Sequence, residues 1–466
     1  MLKKEKALQD FVFYDLETTG TSPAYDQPLQ FAAIRTDASL QELERVEFKC
    51  RLAPHILPAP YALVVTGVNP VELANPNLPN LFEFSQMLQE LIARWAPATW
   101  IGYNTIKFDE PMLRQTFYQN LQPQIYATQT NGNDRLDVLS FVQTVFVKDR
   151  SIMNWPLNEK GKISFKLDML APENGFSSHN AHDALGDVEA TIFLCRKISD
   201  GNSELWKQLL ETRNKHYVRE LFENFRPIEV VLRFGSAEPR SYFGCFCGIS
   251  SDNRNSYGFF DLEMEQSFEL IQGDNDLIMQ ALENSPKQIR TISINNAPPV
   301  LPVNSPHDSW VRICETLKSK SEFRKTVGSV MADRFEVQEV EVKPVEEQIY
   351  GGFYSRNDQN ILQDFQTVDW PKRAELILQF EDQRLKQLGR RLVSFYAPET
   401  GDQSDTERFS QFLKEKWFLR DGKKVPWTTF SEVKKQLEEI DEDPKIGQDI
   451  KDYLRAYYQK KQREVI

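Results

Sequence analysis

The stretch that most constrains this chain is Phe11-Val12-Phe13-Tyr14-Asp15-Leu16-Glu17-Thr18-Thr19-Gly20. Its aromatic and β-branched start reads as a buried strand, and a Thr-Gly turn ends it. Side chains alternate along a strand, so Asp15 and Glu17 share one face. Two carboxylates projecting together from the end of a core strand repel each other and resist desolvation unless a positive charge lies between them. A divalent cation meets that need. Hard oxygen donors with no Cys or His nearby suit Mg²⁺ or Mn²⁺ better than zinc. Taken alone, the stretch also fits a strand that ends in a solvated acidic turn.

Two later segments can join this pair. Asp109 follows Ile101-Gly102-Tyr103-Asn104-Thr105-Ile106-Lys107-Phe108 and stands where a helix begins. Free backbone N–H groups and the helix dipole hold a carboxylate there; an ordinary N-cap is the alternative. Further on comes Asn180-Ala181-His182-Asp183-Ala184-Leu185-Gly186-Asp187. On a continuous helix His182 and Asp187 would lie roughly 140° apart, on different faces. The spacing therefore places His182 at or before the helix start and fixes Asp187 one turn in. A rigid carboxylate suits a metal, whereas an imidazole with an ordinary pKa of about 6.5 suits a proton acceptor for water. Alone, His182 reads as a polar histidine at a helix start, and Asp183 reads as the cap.

Residues 11–198 alternate strand-like and helix-like segments and predict an α/β domain around a mixed sheet. Pro28–Thr36 and 44–50 continue the opening strand as an antiparallel meander, and 99–104 is a further short strand. Helical spacing runs over 81–95, 109–120, 135–147 and 183–198. Linking helices fill 199–226. From Pro227, short strands punctuated by Gly and Asn predict a small barrel or sandwich. Helix returns over 307–335 with a basic cluster of Arg312, Lys318, Lys320, Arg324, Lys325 and Arg334. Tyr350-Gly351-Gly352-Phe353 marks a boundary, after which 358–366, 371–393, 404–418, 429–441 and 446–462 read as helices. The expected domains are 1–198, 199–349 and 350–466.

A chain of 466 residues is long enough for two to four domains. Its net charge of −12 excludes a protein that coats nucleic acid by overall charge, while leaving room for a local basic channel. Five scattered cysteines argue against a disulfide framework, and Cys245 and Cys247 read as core strand residues. No run approaches the roughly 18 apolar residues of a membrane helix. The start Met1-Leu2-Lys3-Lys4 lacks the apolar segment of a signal peptide, so a cytoplasmic location is expected.

Taken in order, Asp15, Glu17, Asp109, His182 and Asp187 resemble the pattern of the DEDDh 3′→5′ exonucleases, whose fold is ribonuclease-H-like. The likeness narrows on Gln30-Phe-Ala-Ala-Ile-Arg-Thr-Asp37, Thr66-Gly67-Val68, Gly102-Tyr-Asn104, Asn154-Trp155-Pro156, Ser164-Phe-Lys-Leu167, Asn180-Ala-His-Asp-Ala184 and Arg213-Asn-Lys-His216. On these the chain resembles the bacterial exonuclease I family over nearly its whole length.

That resemblance implies an exonuclease domain, an SH3-like barrel and an all-α C-terminal domain. It implies processive 3′→5′ degradation of single-stranded DNA to 5′-mononucleotides in DNA repair and recombination, by a cytoplasmic enzyme expected to be a monomer. Two Mg²⁺ ions, with Mn²⁺ able to substitute, would be held by Asp15, Glu17, Asp109 and Asp187, with His182 deprotonating the water. Glu17, Arg114 and Lys166 would meet the substrate. Lysine at 166 keeps the charge of an arginine without its two-pronged fork. Ile125 and Gln129 depart from the family, which can carry Tyr and Trp there.

The resemblance also implies docking of the acidic C-terminal tail of single-stranded-DNA-binding protein, expected near Lys148, Arg150 and the 312–325 cluster. Arg384, Lys386, Arg390 and Arg391 are expected to line a DNA channel. A ribonuclease or proofreading relative, and a non-catalytic clamp, are the competing readings.

Overall fold

The opening strand forms where the sequence predicts it. In the computed structural model, which describes residues 9–176, 183–264, 267–272, 275–334, 343–419 and 424–465, β1 (Asp10–Thr18) is the central strand of a five-stranded sheet. β2 (Pro28–Thr36) and β3 (Glu42–Lys49) extend it antiparallel on one side. β4 (Ala98–Gly102) and β5 (Asp134–Asp137) run parallel to it on the other, giving the order β3-β2-β1-β4-β5. The mixed sheet is ribonuclease-H-like.

The helices of this part are α1 (Pro60–Thr66), α2 (Leu81–Trp95), α3 (Asp109–Gln119), α4 (Val138–Lys148), α5 (Leu167–Glu173) and α6 (Ala184–Gly201). They cover both faces of the sheet, which is why β2 is buried almost throughout. Phe11, Phe13, Ala32 and Ile34 point into the layer of α4 and α6, while Val12, Tyr14, Leu16 and Phe31 point into that of α2 and α3. The start of α2 is fixed by a reciprocal cap. Asn80 Oδ1 accepts from the Glu83 N–H at 3.0 Å, and Glu83 Oε2 accepts from the Asn80 N–H at 2.9 Å. The helical reading of 135–147 is corrected at its start. Arg135, Leu136 and Asp137 belong to β5, and the helix begins at Val138 under the Asp137 cap. A strand of four residues is too short to show its own period against the adjoining helix.

α7 (Ser203–Glu211) and α8 (Lys215–Glu223) lead to a second sheet. Its strands are β6 (Ile228–Leu232), β7 (Arg240–Ile249), β8 (Ser256–Asp261), β9 (Ile289–Ser293) and β10 (Val300–Pro302), all antiparallel, in the order β10-β6-β7-β8-β9. α9 (Ser267–Ile271) and α10 (Asn275–Glu283) precede β9, and α11 (Asp308–Ser319) and α12 (Ser321–Asp333) follow β10. α12 crosses β7 so closely that a Cβ on Gly328 would strike the Ile249 carbonyl oxygen at 2.2 Å. Cys245 and Cys247 are buried core residues, and all five cysteines are free thiols.

The last part is all helix: α13 (Arg356–Thr367), α14 (Trp370–Gln379), α15 (Gln383–Tyr396), α16 (Gln403–Trp417), α17 (Phe430–Glu442) and α18 (Gln448–Val465). The single helix expected over 371–393 is two. Buried Asp358 accepts the backbone N–H groups of Glu381 (2.7 Å) and Asp382 (3.1 Å), and Asp382 then caps α15 through the Arg384 N–H at 2.8 Å. These helices share cores with the first sheet's helices and loops. Phe82, Tyr118 and Leu121 pack with Phe365, Ile377 and Leu385, while Leu29, Leu57 and Leu63 pack with Trp417, Val433 and Leu454. Among the described residues, no helix is long and apolar enough to cross a membrane.

Candidate active site

The alternation of β1 carries Asp15 and Glu17 onto the same face as Phe11 and Phe13, the face that α6 covers. α6 docks there through Val188, Ala190, Ile192, Leu194 and Cys195, and this fixes Asp187 in its first turn. One carboxylate oxygen each from Asp15, Glu17 and Asp187 lies within 4.8 Å of the others.

Asp109 arrives from the opposite layer. β4 leaves β1 after the pairing of Phe13 with Ile101, and the chain turns at Gly102. A Cβ there would strike Thr105 Cγ2 at 2.0 Å and the Tyr14 carbonyl oxygen at 2.8 Å, so the turn requires glycine. β1 runs on past the end of β4, and the N–H of Leu16 steadies the Asp109 carboxylate at the start of α3. This is the crevice beyond the carboxyl ends of parallel strands where α/β sheets place their ligands. Asp109 is 3% exposed, and its Oδ1 has no hydrogen-bond partner.

The electrostatics of the cluster are those of negative charge in excess. Burial, then Asp109, Asp187 and Glu17, push the Asp15 carboxyl well above the ordinary range. Burial, then Asp187 and Asp109, push Glu17 up to about 8. Burial also pushes Asp109 up to about 8, against the pull of its own N–H and that of Leu16. The charges that act most on Asp15 and Glu17 are all carboxylates. Hard oxygen donors, mutual repulsion and an unpartnered buried oxygen on Asp109 fit a divalent cation.

Two further carboxylates belong to the neighbourhood. Asp183 occupies the position before α6, but its side chain does not cap the helix. Its Oδ1 instead accepts from Gln30 Nε2 at 3.0 Å, and Gln30 stands opposite Glu17 on β2. Asp137, which the sequence reading missed, is buried beneath the site. It accepts the N–H groups of Asn104 (2.8 Å), Leu139 (3.0 Å) and Ile106 (3.4 Å), which shapes the loop that delivers Asp109. Burial pushes its pKa to about 6 against those three donors. Its signal was a helix cap, hidden by reading 135–147 as one helix.

His182 lies outside the described residues. Lys166 is exposed at the start of α5, next to Phe165, whose carbonyl accepts from Tyr103 Oη at 2.5 Å. This bond ties the start of α5 to the loop ahead of Asp109. Arg114 faces Glu110 (3.4 Å), donates to Tyr350 Oη (3.0 Å) and lies 5.7 Å above the Tyr126 ring. Buried Glu110 also pairs with Arg135.

Several cations expected to be free for a ligand are engaged within the protein. Arg384 is 8% exposed and binds Asp382 and two backbone carbonyls, so it does not line a channel. Arg391 pairs with Glu346 at 2.5 Å, and Arg390 lies 3.7 Å from Asp405. Lys148 is held by both oxygens of Glu229, at 3.0 and 2.7 Å. In the 312–334 cluster, Arg324 caps the end of α11 through the Leu317 and Lys318 carbonyls, and Lys325 pairs with Glu322.

A mixed sheet covered on both faces, with carboxylates gathered at the end of its central strand, marks a nuclease of the exonuclease class when taken with the chain's matches to known proteins. A family model described as Exonuclease matches residues 12–194, and one described as Exonuclease I C-terminal domain matches residues 343–461. The chain is similar to exodeoxyribonuclease I of Escherichia coli, 28% identical over 445 residues that span 89% of this chain and 91% of that protein. Among solved structures it is similar to E. coli exonuclease I in complex with a dA16 oligonucleotide, with a TM-score of 0.82 and 25% identity over 98% of this chain and 100% of that one. A structure of SSB/exonuclease I with an inhibitor aligns with a TM-score of 0.81 and 25% identity, over 98% of this chain and 100% of that one. Over nearly its whole length the chain is similar to the bacterial exonuclease I family.

Proposed function

We propose that this nuclease shortens single-stranded DNA processively from its 3′ end and releases 5′-mononucleotides. The observation that carries the reading is the convergence of Asp15, Glu17 and Asp187 within 4.8 Å, with buried Asp109 beside them. These four residues would hold two divalent cations, Mg²⁺ with Mn²⁺ able to substitute. Such ions supply an activated water and neutralise charge on the departing 3′ oxygen.

The chain's own groups do the rest. β1 and α6 hold their carboxylates on rigid elements, so the site does not have to be assembled when substrate arrives. The Leu16 N–H fixes Asp109, and Asp137 fixes the loop before it. Lys166 and Arg114 offer positive charge to the DNA backbone, Glu17 borders the terminal nucleotide, and His182 takes the proton of the attacking water.

The wider reading rests on the family. Residues 1–198 form the exonuclease domain, 199–349 an SH3-like barrel domain and 350–466 the helical domain. The antiparallel order of β10-β6-β7-β8-β9 and the register shift between Phe246 and Gly248 support a curled sheet in the middle domain. The oligonucleotide and SSB described with the related structures support single-stranded DNA and the tail of single-stranded-DNA-binding protein as partners. We assign the enzyme to the cytoplasm, as a monomer acting in DNA repair and recombination.

A 5′-labelled single strand incubated with Mg²⁺ tests the activity. The label is expected to persist on ever shorter products, with 5′-mononucleotides released. Duplex and RNA of the same sequence are expected to resist, and chelator to stop the reaction. Early release of a labelled mononucleotide, or digestion in chelator, overturns the reading.

A further inference from the structure

α3 delivers Asp109 to the crevice, yet no side chain caps its start. Phe108 stands ahead of the helix and offers no acceptor for the free N–H groups of the first turn. The next residue supplies the anchor. Asp109 and Glu110 point about 100° apart around the helix, and Glu110, 2% exposed, meets Arg135 of the edge strand β5. Glu110 Oε2 also accepts from Gln129 Nε2 at 3.3 Å and from Arg114 Nη2 at 3.4 Å.

The guanidinium of Arg135 reaches further. Its Nη2 leaves the first sheet and donates to the Asn295 carbonyl at 2.9 Å and to Asn296 Oδ1 at 2.8 Å. Both acceptors lie in the turn after β9, in the second sheet. One arginine, 6% exposed, therefore ties the first turn of α3, the edge of the first sheet and a turn of the second.

A buried ion pair costs both partners their hydration, and apolar residues of the same volume would hold these elements together as well. What the pair adds is direction. The N–H groups of a guanidinium lie in one plane at fixed angles. Arg135 thus sets where Glu110 stands against β5, and with it the bearing on which Asp109 leaves α3. A carboxylate that is to hold a cation needs that constraint, because partners behind a ligand fix its orientation.

We infer that Arg135 is a positioning residue for the metal site: through Glu110 it orients Asp109, and it takes its own bearing from the Asn295-Asn296 turn of the second sheet. The inference rests on the reading of Asp109 as a cation ligand above. It adds a tie by which the docking of the second sheet tunes the nuclease centre.

The test uses the full-length protein carrying Arg135→Lys, which keeps the charge and loses the fork, or Asn296→Ala. Asn296 is exposed, so its loss removes only the far partner. Mg²⁺ alone is titrated by calorimetry, KM and kcat are measured on a labelled single strand, and melting is followed in chelator. Arg135→Lys is expected to weaken Mg²⁺ about tenfold and Asn296→Ala about threefold. The rate at limiting Mg²⁺ is expected to fall in step and to return toward the parent as Mg²⁺ is raised, while KM for the strand stays within about twofold. Asn296→Ala is expected to melt with the parent. Parental Mg²⁺ affinity in both variants overturns the positioning role. So does a lost rate that added Mg²⁺ does not recover, or a KM that climbs by the same factor, since a residue that only holds the fold or the strand would act in those ways. A parent protein whose Mg²⁺ uptake survives Asp109→Asn sinks the cation reading itself, so the two failures are told apart.

Discussion

Glu17→Gln separates the catalytic need for negative charge from its effect on the fold. The Glu17 carboxyl is pushed from 4.5 to about 8 by burial and by Asp187 and Asp109. A rise in the folded state means that the folded protein holds this proton more tightly than the unfolded chain does. Below pH 4.5 both states are protonated and nothing is lost. As pH climbs from 4.5 to 8 the unfolded chain ionises first, and stability falls by about 1.4 kcal/mol per unit. Above pH 8 the loss is complete, at about 5 kcal/mol. The protons are shared across the cluster, so the figure belongs to the site as a whole. Glutamine keeps the shape and cannot ionise.

In chelator at pH 8, Glu17→Gln is therefore expected to melt several degrees above the parent, at about 2–4 °C per kcal/mol. At pH 4.5 the two are expected to coincide. Saturating Mg²⁺ is expected to raise the parent and leave the variant nearly unmoved, because the variant lacks a ligand. The assay is thermal unfolding by circular dichroism across pH, with and without chelator. A variant less stable than the parent at pH 8, or a gain that does not vary with pH, refutes the reasoning.

Three further outcomes are expected. Asp109→Asn and Asp187→Asn should each lower digestion about a thousandfold or more, since several kcal/mol of charge stabilisation depends on the cations they would hold; binding of single strands in chelator should persist. Mg²⁺ affinity measured by titration calorimetry should rise steadily from pH 6 to 8, with proton release, because the site must shed protons from Glu17 and Asp109 before the ion enters. Asp358→Ala should destabilise the helical part by about 2–3 kcal/mol in a urea melt, because the Glu381 and Asp382 N–H groups lose their buried acceptor.

What could be read in the sequence was what local rules decide. The alternation of Phe11 to Glu17 placed two carboxylates on one face, and an apolar stripe placed α2. The approach of Asp109 and Asp187 came from their ordered pattern, because no local rule tells which strand end a distant helix will meet. The errors at Arg384 and Asp183 share one cause, which is that a sequence displays charge but not burial. Arg384 looked like a channel cation and is an internal clamp. Asp183 looked like a cap and accepts from Gln30. The four-residue strand β5 vanished into the helix behind it, and Asp137 vanished with it. Asp358, far back in the chain, breaks the helix at 380–382, where the local spacing runs on. The bond between Tyr350 and Arg114 joins residues 236 apart and has no local signal at all.

The central claim is that Asp15, Glu17, Asp109 and Asp187 enclose divalent cations at the end of β1. Crystals grown with Mn²⁺ and measured for anomalous scattering test it most directly. The account predicts anomalous peaks among these four side chains, at about 2.2 Å from their oxygens. Crystals that bind Mn²⁺ only elsewhere, with the four carboxylates free of any peak, contradict it.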